Sequence, residues 1–398
     1  LLLWWWPDLI IKLTNPAMSS PAQQAANELR WWLKLPPVNL IARQDHIRFR
    51  HAMYLVIHQV ASVLYTVNNL PDTMYFPSRL SGARPAFDGM LNAPVQAGNC
   101  LTDLACTRDA TLTWQRASKL ITETLAFVET ASDAPIEKVQ EVVAPCSPGQ
   151  MQNRADAIAV RLHLVEEVEA VMLGGSLARG TADEQSDIDI HVFCRVLPSA
   201  DIRRNLIAAW PDVQQPPLIE PACDTVWLGG VLVHLRYWQS GEVDQWLRFL
   251  SSPYQTMLLA EELQIGQALF DPGKRISSWQ QIVALPPRAL VEMVIGQARQ
   301  RLAAFRVLWH EACALQDPIH QYCLMNQAVH DWLVACYIRN NRFLSTPRWT
   351  HRDMMNLPYI PDNLDRRLIG LVDAIENVAE ANRRFSDLEI LWTELPGF

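Results

Sequence analysis

The sequence predicts an α+β fold: a small mixed sheet flanked by two mainly α-helical domains that read as duplicates of one another. Three observations carry that expectation. Apolar residues recur at helical spacing over long stretches at both ends, strand-like apolar runs occur together only in the middle, and short motifs of the first helical region return in order in the last. With 398 residues and 45.2 kDa, the chain calls for two or three hydrophobic cores rather than one. Its 49% hydrophobic and 19% charged residues are the composition of a globular protein, not of a disordered or collagenous one.

The first domain, 1–145, is read as helical. His46–Asn69 is long and apolar on one face, Thr111–Glu129 repeats the pattern, and Pro135–Gly149 has the prolines of a linker. The middle domain, 146–245, opens with a helix over Gln150–Val165. Val168–Leu173 and Ile188–Cys194 are then short apolar strands and Ala200–Trp210 a helix. Asp224–Leu228 and Val231–Trp238 flank Gly229-Gly230, the pattern of a hairpin. The last domain, 246–398, returns to helical spacing, strongest over Ala289–Ala314, Pro318–Asn341 and Asp362–Arg384.

The likeness between the two ends is built from small matches. Leu35-Pro36-Pro37 recurs as Leu285-Pro286-Pro287, and His58, Tyr65, Asn68 and Asn69 have His330, Tyr337, Asn340 and Asn341 at one constant offset. Met90-Leu91-Asn92-Ala93-Pro94 is answered by Met354-Met355-Asn356-Leu357-Pro358, and Trp31-Trp32 by Trp279. Each match is cheap alone; their shared order points to duplication.

Composition also excludes function classes. A net charge of −8 argues against nucleic-acid binding through a broad basic surface, and no apolar run reaches the roughly 18 residues of a membrane span. Leu1–Trp6 is apolar, but Pro7 and Asp8 end it and no basic stretch precedes it, so it lacks the form of a signal peptide. The eight cysteines contain no C-x-x-C pair, which suits reduced thiols in a cytoplasmic protein better than a metal or disulfide framework.

The stretch that carries chemistry runs from Val171 to Cys194. A strand delivers Gly174-Gly175-Ser176, followed by Leu177-Ala178-Arg179-Gly180 as a turn or short helix. The glycines allow close backbone approach, and the exposed N–H groups with the Ser176 hydroxyl suit phosphate oxygens. Asp187 and Asp189 stand two apart on a strand, so both carboxylates share one face while Ile188, Ile190 and Val192 turn to the core. Two such carboxylates repel unless a cation lies between them, and hard oxygen donors favour Mg²⁺.

Gly175-Ser176, about ten residues, then Asp187-Ile188-Asp189 resembles the nucleotidyltransferase superfamily related to DNA polymerase β, closest to bacterial minimal and kanamycin-type aminoglycoside members with a helical C-terminal domain. Ser186 before Asp187 fits that pattern. The resemblance implies that 146–245 is a nucleotidyltransferase domain. Asp187 and Asp189 would then be catalytic and hold two Mg²⁺ ions on a nucleoside triphosphate, ATP favoured. Gly174, Gly175 and Ser176 would bind its phosphates. Arg179 either adds charge beside the leaving pyrophosphate or is a solvated turn residue. A hydroxyl acceptor, small molecule or protein, would receive the nucleoside monophosphate.

The family's third carboxylate usually lies on a later strand. The matching strand here, Val231–Trp238, carries no acid. His234 takes the most plausible place, with Arg236 on the same face, and serves either as a general base or as a hydrogen-bonded strand histidine. Asp224 and Glu220 are the nearest other acids. The gap leaves a second reading: a nucleotide-binding or interaction protein without turnover. The Arg–(four to six residues)–His spacing of the helical ribonuclease toxins that accompany some relatives is absent, which disfavours that activity.

Overall fold

The computed structural model describes residues 21–395 except 35–36, 43, 69–86, 88–89, 91, 129–145, 185, 215, 220, 249–254, 344–353, 355–356 and 376. The chain forms two units. A helical unit takes 1–139, 292–340 and 346–398, and an α/β unit takes 140–291 and 341–345. The helical segments at the two ends of the chain therefore belong to one unit, not two.

In chain order the helical unit begins with α1 (Pro21–Lys34), α2 (Val38–Ala42), α3 (His46–Val67), α4 (Ala97–Cys106) and α5 (Ala110–Leu125). The α/β unit follows with α6 (Pro148–Leu162), β1 (Val168–Leu173), α7 (Gly175–Ala178), β2 (Ile188–Cys194), α8 (Ala200–Ala208), β3 (Leu218–Ile219), β4 (Cys223–Leu228) and β5 (Val231–Gln239). It continues through α9 (Ser240–Arg248), α10 (Gln255–Ile265), β6 (Gln267–Phe270) and α11 (Arg275–Ile282). Then come α12 (Arg288–Ala314), α13 (Pro318–Arg339), α14 (Leu364–Val372) and α15 (Val378–Thr393).

The six strands lie in the order β3-β4-β5-β2-β1-β6. β2 runs parallel to β5 and antiparallel to β1, while β4 pairs antiparallel with β5 through the Gly229-Gly230 turn. Both of those glycines have positive φ, 55° and 84°, as a two-residue hairpin turn requires. β2 is central and buried along its whole length. Ile188, Ile190 and Val192 turn one way, into a core with Leu173, Val233, Leu235 and Leu162. Ser147 caps α6 with a reciprocal Ser–Gln150 capping box, which fixes where that helix starts.

The sheet extends beyond the sequence expectation. The 146–245 boundary stopped short of β6, which pairs with β1 and draws α10 and α11 into the α/β unit. Four residues between two helices leave too short a run for a period-two signal. Asp362–Arg384 is likewise two helices. They break at Asp373–Asn377, where Arg384 donates to the carbonyls of Asp373 and Ala374, and Asn377 caps α15.

In the helical unit α3 and α13 have the same length, 22 residues, and the same ends. Asp45 and Asp317 cap their first turns, each preceded by a glutamine in the left-handed region, Gln44 at φ 56° and Gln316 at φ 51°. At their far ends Asn68 and Asn340 each donate Nδ2 to the carbonyl four residues back. α5 and α15 both span 16 residues behind an Asp109 or Asn377 cap. α3 meets α13 directly: Tyr54 Oη lies 3.2 Å from Gln327 Oε1, the His51 and His330 rings stack at 5.8 Å, and Tyr322 Oη donates to Arg50 O at 2.6 Å.

Two of the small sequence matches do not sit on equivalent elements. Pro37 leads into a five-residue helix and Pro287 into a 27-residue one, while Leu35 and Pro36 lie outside the described residues. Trp279 belongs to the α/β unit, where it packs on Phe193 and donates to Asp244, so it has no counterpart role to Trp32. Asn69, Leu91, Met355, Asn356, Leu1–Trp6 and most of the Pro135–Gly149 linker are outside the described residues.

Candidate active site

The face of β2 opposite the core carries Asp189 and His191. In the parallel register with β5, Asp189 pairs with His234 and His191 with Arg236, so the four side chains share that face. Asp187 stands just before β2. It is delivered by a tight loop in which Ser186 Oγ accepts from Asp183 N at 2.9 Å and donates to Asp183 Oδ1. β1 ends at the Gly174-Gly175-Ser176 turn, which Gly174 N ties to Asp189 O at 2.9 Å. The turn and the carboxylates are thus joined through one backbone hydrogen bond.

Gly175 has φ +64°, and a Cβ there would stand 2.2 Å from Asp189 Oδ2. A Cβ on Gly174 would meet Glu262 Oε2 at 2.6 Å and His191 Nε2 at 2.7 Å. Gly175 needs glycine for its positive φ, whereas a Cβ on Gly174 would require the Glu262 and His191 side chains to shift. Ser176 is buried, and its Oγ has no hydrogen-bond partner among the described residues.

His234 Nε2 lies 3.6 Å from Asp187 Oδ2, and its Nδ1 is 3.1 Å from Thr225 Oγ1. Arg236 reaches within 3.9 Å of Asp189 Oδ1. Burial raises the Asp189 pKa, Asp187 and Glu262 raise it further by repulsion, and Arg236 with His234 offset only part of this. The pair is therefore short of positive charge. Among the described residues no three His, Cys, Asp or Glu side chains form a ready metal cage. Two hard oxygen donors with unmet negative charge fit Mg²⁺ when phosphate oxygens supply the remaining ligands.

Asp224 is not part of this face. It pairs in register with Leu235 on the core side, where it is fully buried against Arg203 at 2.5 Å. Glu220 lies outside the described residues. Arg179 is not a solvated turn residue: its guanidinium is buried and pairs with Glu261 of α10.

The sequence reading missed two members of this cluster, His191 and Glu262. Trp238 Nε1 donates to His191 Nδ1 at 2.9 Å, which leaves the proton of a neutral His191 on Nε2, 3.5 Å from Glu262 Oε2. The same Glu262 oxygen accepts from Gly175 N at 3.1 Å. Burial alone would raise the Glu262 pKa, but His191 together with the charges of Arg179 and Arg236 outweighs it and holds the carboxyl at about 2. His191 was legible as the next same-face residue after Asp187 and Asp189. Glu262 had no signal, because only the return of α10 to the sheet brings it near.

No curated protein matches the chain. Among solved structures, a nucleotidyltransferase-like protein from Exiguobacterium sibiricum aligns at 12% identity and a TM-score of 0.32, over 61% of this chain and 74% of that one. Residues 158–221 match the nucleotidyltransferase domain family. That span reaches from α6 through the Gly-Ser turn and both aspartates to just past β3, and leaves out His234 and α10.

Proposed function

We propose that the α/β unit transfers a nucleoside monophosphate, AMP from ATP by preference, to a hydroxyl of a small molecule or a protein, with release of pyrophosphate. The carrying observation is the Asp187/Asp189 pair set against the Gly174–Ser176 turn within the segment that matches the nucleotidyltransferase domain. The acceptor oxygen attacks the α-phosphorus, the bond to the pyrophosphate oxygen breaks, and the acceptor proton leaves to a base. Mg²⁺ held by Asp187 and Asp189 would supply charge neutralisation at the triphosphate. The Gly175 N–H and Ser176 Oγ are the donors for its phosphate oxygens. His234 is the candidate base: with its Nδ1 donating to Thr225 Oγ1, Nε2 would be the atom that accepts the acceptor's proton, and Asp187 3.6 Å away would stabilise the imidazolium formed.

Two further parts of this reading rest on indirect support. The eight cysteines are all free, which suits a reducing cytoplasmic setting, and no helix among the described residues is long and apolar enough to cross a membrane. The matched lengths and caps of α3 with α13 and α5 with α15 support descent of the helical unit from a duplicated segment.

One observation favours a second reading, nucleotide binding without turnover: His234 stands in register with Asp189 where relatives place a third carboxylate. Incubation of the full chain with each labelled nucleoside triphosphate, Mg²⁺ and a panel of hydroxyl acceptors, itself included, separates the two. Pyrophosphate release that an Asp187→Asn/Asp189→Asn variant loses supports transfer. Nucleotide binding with no release supports the binding protein, and release that survives the double substitution overturns the site.

A further inference from the structure

Three donors, one from the Gly-Ser turn and two beside it, converge on two acids of one helix. Gly175 N donates to Glu262 Oε2 at 3.1 Å, His191 Nε2 lies 3.5 Å from the same oxygen, and the Arg179 guanidinium pairs with Glu261. A backbone N–H and an arginine are the groups that would hold phosphate oxygens of a bound triphosphate. In this structure each already faces a carboxylate. The Ser176 hydroxyl beside them is buried and has no hydrogen-bond partner among the described residues, so the anion position is only partly filled.

On the nucleotidyltransferase reading above, we infer that Glu261 and Glu262 are an internal phosphate mimic that occupies the turn in the nucleotide-free protein and must leave it when a triphosphate enters. One N–H cannot serve a carboxylate and a phosphate oxygen together, and two anions at hydrogen-bond separation repel strongly where water is excluded. The exchange is a side-chain movement, because the backbone at this point is fixed. α10 ends at Ile265, and the N–H of the next residue, Gly266, bonds to Glu262 O at 2.8 Å. A Cβ on Gly266 would stand 2.3 Å from Met172 Sδ of β1, so helix and sheet are in close contact there. Rotation of the Glu262 side chain frees the Gly175 N–H and removes a negative charge from where the triphosphate's own negative charge would enter. The acids therefore set a threshold: only a ligand with enough phosphate charge and its metal displaces them.

Calorimetric titration of the full chain with Mg²⁺ and ATP, ADP or AMP tests this, in the wild type and in Glu261→Gln, Glu262→Gln and the double variant. Glutamine keeps the size of glutamate and an oxygen for the Gly175 N–H, and circular dichroism melts confirm folding. The expected result is ATP binding at least tenfold tighter in the double variant, with a smaller gain for ADP and none for AMP. Equal or weaker ATP binding in the folded variants overturns the inference while leaving the wild-type nucleotide site intact. Absence of ATP binding in wild type and every variant overturns the nucleotidyltransferase reading, and the mimic with it.

Discussion

The helical unit and the outer face of the sheet arrange buried charge differently. In the helical unit three buried ions have a partner of opposite sign, Arg50 with Asp373 at 2.8 Å, Asp331 with Arg301 at 2.7 Å and Arg384 with Glu380 at 2.6 Å, although burial still raises the Asp331 pKa. The core side of the sheet follows the same rule, with Asp224 against Arg203. On its other face Asp187, Asp189 and Glu262 crowd the Gly174–Ser176 turn, and the Asp189 pKa rises because Arg236 and His234 do not balance burial and repulsion. Matched pairs leave each buried charge with its own partner, whereas the turn gathers acids of one sign, the arrangement on which the proposed metal site rests.

The largest effect expected from this contrast is on activity. Asp187→Asn/Asp189→Asn should lower pyrophosphate release by about 10²–10³ or more, measured at saturating nucleotide, since charge stabilisation of the reacting phosphate is lost. The same variant should melt at a higher temperature than wild type in metal-free buffer near neutral pH. Asp189 with a raised pKa makes the ionised form costly above its ordinary titration range, and the amide removes that cost. A lower melting temperature would mean that the two faces are not electrostatically different.

Next come the matched pairs. Arg203→Ala takes the cation away from the fully buried Asp224 and should cost about 3–5 kcal/mol in urea unfolding. Arg50→Ala should cost less, about 1–3 kcal/mol, because Asp373 remains about a third exposed and can be hydrated. Equal costs would break the distinction drawn from burial.

Gly175→Ala sharpens the comparison at one residue. Its φ of +64° and the 2.2 Å approach of Asp189 Oδ2 to a Cβ predict a loss of more than about 1 kcal/mol together with loss of nucleotide binding. The smallest effect is in pH. Glu262 is held at about 2 against an ordinary value of 4.5, so its contribution to stability is full above about 4.5 and is lost as pH falls toward 2. The melting-temperature gap between wild type and Glu262→Gln should close over that interval. A gap that stays constant would show that the Glu262 charge contributes nothing.

Much of the fold was legible because local rules decide it. The period-two run from Ile188 to Cys194, the Gly229-Gly230 turn and the long helices near His46 and Pro318 each follow from spacing and backbone sterics within a few residues. β6 and the break before α15 were not, since a four-residue strand exists only through its partner β1 and the break through Arg384. The site divides along the same line. Gly174, Gly175, Ser176, Asp187 and Asp189 lie on consecutive elements and could be read as a motif. His191 continues the same strand face and was overlooked. Glu261 and Glu262 are invisible to any local pattern, being two acids of a helix far along the chain.

By itself, the sequence determined the α+β class, the turn-and-carboxylate motif and the matching helices near the two ends, because these depend on periodicity and on chemistry within one or two elements. The tertiary structure alone decided that both helical segments build one unit, that Asp224 faces the core, and that Arg179 and the Gly175 N–H already have carboxylate partners. The physical reason is common to all three: sheet register, burial and charge pairing are set by what lies across from a residue, and its chain neighbours do not determine that.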